Sequence, residues 1–182
     1  LAIELVFSKL MYLASIYLGG VAMPLTEDSL SLLSKTELAY IAGIIDGEGS
    51  ISLVPSKLKR ANGRSIFPLV RIANTNFGLI DWLGHRLAGG RHYTDQVSER
   101  RKPVAHIGWA SNEAVLLLKA VLPYLVIKKP HAELVIELWA INESARWDAG
   151  GYFGNGHPIP DWLLYRRLDA KEKLAVLNKR GL

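Results

Sequence analysis

The chain has 182 residues and no cysteine, which excludes thiol catalysis, disulfide staples and every cysteine-bearing zinc site. A chain this long buries roughly 70% of its unfolded surface. With 49% apolar and 21% charged residues it is not a disordered chain. Lys and Arg number 22 against 17 Asp and Glu, a formal charge of +5, and this balance favours a polyanionic partner.

Residues 1–20 are apolar-rich, with only Glu4 and Lys9 charged. The first charge is acidic and Lys9 interrupts the run, so the segment reads as neither a secretory signal nor a spanning helix. No membrane partner is expected. Gly19, Gly20 and Pro24 then punctuate the chain, and 26–34 reads as a polar, Ser-rich link. Residues 1–33 are expected to form an extension, or the remnant of an upstream reading frame, and 34–182 a single domain.

Ser34 and Glu37 have the spacing of a capping box, which predicts a helix over 38–47. Residues 50–54 alternate as a strand does. A basic loop, 57–64, leads to a second strand over 65–73. There Ile66, Val70 and Ile72 point one way, and Ser65, Phe67 and Arg71 the other. Pro68 predicts an edge position or a bulge. Asn76 can cap a helix through Leu87, which Gly89 and Gly90 end. The same grammar then repeats: strands over 91–97 and 104–110, joined by a basic turn, and a helix capped by Ser111 or Asn112. Hairpin, helix, hairpin, helix is an α+β plan with an antiparallel sheet. Pro130 opens a further helix carrying Leu134, Val135, Leu138, Trp139 and Ile141. A glycine-rich loop, 148–157, precedes a final helix over 161–178. Trp139, Trp147 and Trp162 are assigned to the core. His85, His92, His131 and His157 are read as structural.

Residues 38–50 break local rules. Glycine costs a helix about 1 kcal/mol against alanine, yet Gly43 and Gly47 sit four apart, with Ala39 extending the small face. Such a face lets two helix backbones touch. Asp46 and Glu48 place carboxylates at the negative end of the helix dipole, where they are unfavourable. A bound Mg²⁺ would relieve that, since hard cations take carboxylate oxygens. Violations of this kind are expected at functional sites. The bland alternative is a polar helix-to-strand turn. A calcium-binding EF-hand loop fails, because the place that needs glycine is Ile51.

Ile41-Ala42-Gly43-Ile44-Ile45-Asp46-Gly47-Glu48-Gly49 resembles the LAGLIDADG motif of homing endonucleases, with Glu at the family's second acid. The resemblance continues through the Ser50-Ile51 strand, Asn74-Thr75-Asn76, and Leu122-Pro123-Tyr124-Leu125-Val126-Ile127-Lys128-Lys129 with Ala132-Glu133-Leu134 beyond. It implies an αββαββα core with trailing C-terminal helices. One motif is present. The nearest second candidate, 145–151, lacks the apolar run and the second acid. A single-motif member acts as a homodimer whose motif helices form the interface, here through Ala39, Gly43 and Gly47. The chain ends Arg180-Gly181-Leu182 and not in the His-Asn of intein splicing, so a free-standing, intron-encoded enzyme is expected. The lack of cysteine sits comfortably with an archaeal or otherwise heat-exposed source.

The resemblance implies a metal-dependent, site-specific nuclease making a staggered cut in a long pseudo-palindromic DNA duplex. Glu48 would hold Mg²⁺ with the Gly47 carbonyl. Mn²⁺ would serve as an alternative, and Ca²⁺ would bind without supporting cleavage. Asp46 would orient the helix end, Lys128 would stabilise charge on phosphate, and Asn74 would position water. An antiparallel ribbon can enter the major groove. Ser50, Ser52, Ser65, Arg71, Arg91, Tyr93, Asp95 and His106 fall on its outer face. Arg71 and Arg91 are candidates for reading guanine. Lys57, Lys59, Arg60, Arg64, Arg100, Arg101 and Lys102 would hold phosphate. An RNA maturase bound to its intron and a non-catalytic DNA-binding regulator are the competing readings.

Overall fold

The computed structural model describes residues 23–56, 65–95, 102–148 and 159–179. A short helix α1 (Glu27–Ser31) comes first, where the sequence suggested only a link. Thr26 and Ser29 cap it reciprocally. Leu25 and Leu30, which precede the expected boundary at Ser34, are buried in the same core as the rest. The Leu25 amide donates to Glu113 Oε1 at 3.1 Å. Gly89, at φ +78°, lies against this contact, and a Cβ there would collide with the Leu25 backbone.

Helix α2 (Lys35–Glu48) begins at the capping box the sequence predicts. Ser34 Oγ accepts from the Glu37 amide, and Glu37 Oε2 accepts from the Ser34 amide at 2.9 Å. Glu37 also pairs with Arg86 at 2.6 Å. Ile41, Ala42, Ile44 and Ile45 are buried, while Ala39, Tyr40, Gly43 and Gly47 face outward.

The chain then runs through β1 (Gly49–Pro55), β2 (Ile66–Asn74), α3 (Phe77–Arg86), β3 (Arg91–Thr94), β4 (Ala105–Ala110) and α4 (Asn112–Val121). After a 3₁₀ turn at Leu122–Tyr124 come α5 (Lys129–Asp148) and α6 (Asp161–Leu177). The four strands form one antiparallel sheet in the order β1-β2-β4-β3. Its inner face, with Ile51, Val70, Ile72, Ile107 and Trp109 fully buried, packs against the helices. The mixed helix and antiparallel-sheet plan and the order of elements follow the sequence reading.

Three local expectations need correction. β2 is an inner strand, so Pro68 is neither at an edge nor in a bulge. It is tolerated because β2 pairs with β4 only from Leu69 onward. Beyond that point the Pro68 carbonyl accepts from the Ser111 amide at 2.9 Å, and the missing N–H leaves no ladder bond unmade. Ser111 does occupy the cap position of α4, but at φ +55° its side chain makes no capping bond. The tryptophans also sort differently. Trp109 is the buried one, donating its indole N–H to the Ala88 carbonyl at 2.9 Å, and Trp139 is half-buried. Trp147 and Trp162 are exposed. No helix among the described residues is long and apolar enough to cross a membrane.

The Ser34–Glu37 box has a testable consequence. Its hydrogen bonds from Ser34, together with Arg86, hold the Glu37 carboxyl below the usual carboxylate range. A depressed pKa stabilises the fold above the unfolded-state value, and that contribution is lost as pH falls through the folded-state value. Ser34→Ala should cost about 1 kcal/mol near neutrality. Thermal melts of both proteins should show the gap narrowing as pH falls below the usual carboxylate range and Glu37 takes up its proton. A gap that stays constant over the whole acid limb would show that Glu37 takes no part in the cap.

Candidate functional site

The end of α2 is held by a segment far away in sequence. Asp46 Oδ2 accepts the Val126 amide and Oδ1 the Lys128 amide, each at 2.7 Å. Lys128 Nζ reaches back to the Asp46 backbone carbonyl. A carboxylate beside the negative end of a helix dipole is unfavourable. Two backbone donors and an ammonium offset that here, so the protein itself meets the demand of Asp46. Glu48, the last residue of α2, differs. It is exposed, and no hydrogen bond or ion pair engages it among the described residues.

Gly47, Glu48 and Lys128 border a cavity of ≈570 Å³. Arg71, Ala73 and His106 form its sheet side, and Leu177, Asn178 and Lys179 close it from the end of α6. Asn178 Nδ2 donates to the Ile51 carbonyl at 3.1 Å and so fastens α6 to β1. Burial pulls the Lys128 ammonium below the ordinary lysine range, and the charges of Asp46 and Glu48 oppose that pull. His131, read from sequence as structural, also lines the cavity. It is buried, its Nδ1 has no hydrogen-bond partner among the described residues, and burial lowers its pKa. Its place in the first turn of α5 gave no signal of this in the sequence. Asn74 is not in the cavity wall, where Ala73 stands. Its Oδ1 accepts the Asn76 amide at 2.8 Å, which turns the chain into α3.

The sheet's outer face carries Ser50 and Ser52 from β1 and Arg71 from β2, with Arg91 and Tyr93 from β3 and His106 from β4. Ser65 and Asp95 continue the alternation just outside the strands. Ser50 lies opposite Arg71, Arg71 and Arg91 both lie opposite Gly108, and Tyr93 lies opposite His106. Phe67 and Leu69 share this face, half-buried. Lys102 is described and exposed. Lys57, Lys59, Arg60, Arg64, Arg100 and Arg101 lie outside the described residues.

Among the described residues the outward face of α2 is open: a Cβ added at Gly43 or Gly47 would meet nothing within 4 Å. Packing among those residues therefore does not call for glycine at either place. Tyr40, beside them, meets Trp82 edge-on at 5.3 Å between ring centres and is itself exposed.

By sequence the chain matches no family model and no curated protein. In structure it is similar to the archaeal intron-encoded homing endonuclease I-Vdi141I complexed with DNA. The TM-score is 0.59 at 18% identity, over 81% of this chain and 87% of that one. It is similar also to the homing endonuclease I-CvuI in complex with its target in the presence of Ca, at TM-score 0.57, 15% identity, and 81% and 84% coverage. The LAGLIDADG homing endonuclease I-GzeII in complex with its DNA target aligns at TM-score 0.50 and 14% identity, over 80% of this chain and 45% of that one. The chain has the LAGLIDADG homing-endonuclease fold. At these identities the likeness is one of fold.

The Asp46 contacts make a direct prediction. Asp46→Asn retains an acceptor for one amide and turns an NH₂ toward the other. The cost should be about 1–3 kcal/mol, seen as a lower Tm. Hydrogen exchange should quicken at the Val126 or Lys128 amide, and unchanged exchange at both would refute the clasp.

Proposed function

We propose that the chain is a site-specific, metal-dependent DNA endonuclease that acts as a homodimer. The observation that carries this reading is the unengaged Glu48 carboxylate, presented at the end of a glycine-faced helix and beside Lys128, below a polar sheet face. The similar structures named above are homing endonucleases, each bound to DNA.

The donor set suits a hard cation. Among the described residues no group of three or more His, Cys, Asp or Glu could hold a metal by itself. Mg²⁺ does not ask for such a cage: it keeps several waters and uses one or two carboxylates together with substrate phosphate. Glu48 and the Gly47 carbonyl offer hard oxygen donors of that type, and a second copy would bring a second Glu48 near the two-fold axis. When bound, the ion would activate water and stabilise charge at the scissile phosphate.

The chain's own residues do the rest. The outer sheet face lies in the major groove and reads base edges, while Lys102 and the other cations of 57–64 and 100–102 hold phosphate and set register. Lys128 spends one of its three donors on Asp46 and keeps the others for the phosphate oxygens at the cavity. Its partial burial strengthens that attraction by thinning the water around it. Asp46 is a positioning residue here: it fixes the segment that carries Lys128. The open α2 face meets its two-fold copy, backbone against backbone at Gly43 and Gly47. Two such sites across a dimer would cut the two strands at staggered places.

Three measurements test this. Cleaved molecules should be selected from a large randomised DNA library with Mg²⁺ or Ca²⁺, using wild type and Glu48→Gln. Wild type with Mg²⁺ should enrich a near-palindromic site, and Glu48→Gln should bind that site without cutting it. If nothing is enriched and the protein instead shifts structured intron RNA, the nuclease reading fails and splicing assistance replaces it. Lys128→Met should retain site binding and slow cleavage about 10²-fold or more; wild-type cleavage rates would remove Lys128 from the site. Gly43→Leu should sediment as a monomer, and a mutant that remains dimeric would place the interface elsewhere.

A further inference from the structure

We infer that the outer sheet face reads one base-pair position through a preassembled unit, in which Arg71 and Tyr93 meet the base pair while His106 and Asp95 hold them in place. The inference rests on the DNA reading above and assigns His106 and Asp95 as positioning residues in place of readers. Tyr93 and His106 are direct cross-strand partners, and their rings lie parallel within 4° with centres 4.3 Å apart. Arg71 comes from β2, on the far side of β4, and its Cζ stands 6.0 Å from the centre of the Tyr93 ring. Alternate strands are about 10 Å apart. Arg71 can span that distance because its own partner on β4 is Gly108, which puts no side chain in the way.

The exposed groups separate the roles. Arg71 and Tyr93 are open to solvent. Both ring nitrogens of His106 are closed to it and make no hydrogen bond among the described residues. Nε2 lies 3.0 Å from Asp95 Oδ2, in contact but without hydrogen-bond alignment. His106 therefore has neither donor nor acceptor to offer a base edge. What it offers is a flat ring beneath Tyr93, and Asp95 steadies that ring. A guanidinium resting over an aromatic ring keeps a fixed plane. Fixing it in advance removes ordering cost from a bidentate contact to guanine O6 and N7, the acceptor pair this fork fits. The ligand of the unit is thus a guanine-containing base pair in the major groove, with the Tyr93 hydroxyl available to its neighbour.

The test uses the full chain in Ca²⁺ and duplexes that each change one base pair per half-site of the selected target. Arg71→Ala and His106→Ala should each reduce discrimination at the same position, roughly tenfold or more. The double variant should lose no more than either single one. His106→Phe, which keeps a flat ring under Tyr93, should restore the discrimination, and Asp95→Asn should weaken it several-fold at that position only. Tyr93→Leu supplies an independent break of the stack should His106→Ala fail to fold, and it should act at the same position. The inference is overturned if His106→Ala changes a different position, lowers affinity equally for every duplex, or adds its full factor to that of Arg71→Ala. A wild type that discriminates no position at all overturns the DNA reading itself, and the unit with it.

Discussion

Asp46 holds two things together: the C-terminal end of the glycine-faced helix and the segment that delivers Lys128. Its carboxylate accepts amides 80 and 82 residues away, and its carbonyl accepts the lysine ammonium. Each contact relieves a cost. The carboxylate at the helix end gains donors, the helix-end carbonyl gains a partner, and the half-buried lysine gains counter-charge. Release of any one raises the cost of the others. Lys128 and the end of α2 border one cavity, and this clasp ties them together. Among the described residues Glu48 makes no hydrogen bond or ion pair, which leaves its carboxylate available to a ligand.

The sheet shows the same division of labour. Side chains alternate across a strand with a period of two, so a face committed to the core frees the other face entirely. Ile51, Val70, Ile72, Ile107 and Trp109 take the buried side, and this fixes Ser50, Arg71 and His106 on the other. The cross-strand order then decides which outer residues meet. Since β4 lies between β2 and β3, the residues of β4 set what Arg71 can touch. Gly108 clears its path and His106 supports its target. Composition alone gives a basic protein, while register gives an organised surface.

This contrast explains what was legible in the sequence. The Ser34–Glu37 box, the alternation of 65–73 and the start of α6 at Asp161 are local signals, and each is written in adjacent residues. The glycine pair and the acids of α2 were legible as anomalies, because they break propensity rules that hold elsewhere. Other features arise only when distant segments meet. The inner position of β2 follows from strand order, which Pro68 obscured. The place of Leu25 and Leu30 in the core depends on Glu113 and Gly89, and the cavity wall at Asn178 depends on how α6 docks on β1. His131 belongs to the same class. A histidine in the first turn of a helix reads as ordinary until the cavity it borders is in view.

The glycines of α2 supply the final constraint. Each costs the helix about 1 kcal/mol against alanine. Among the described residues neither is compensated, because a methyl at Gly43 or Gly47 would meet nothing within 4 Å. Gly49, two residues beyond Gly47, is the opposite case: a Cβ there would strike the Ile45 backbone, so the fold demands glycine at the turn into β1. Among the described residues, these three glycines thus divide into one explained by packing and two that are not. Those two lie on one exposed helix face with Ala39, beside the exposed ring of Tyr40. In the proposed homodimer a second copy of the helix would come close, backbone to backbone, at both glycines and so offset about 2 kcal/mol of lost propensity. It would also carry a second Glu48 toward the first, so the same two residues would account for the assembly and for the pairing of its acids.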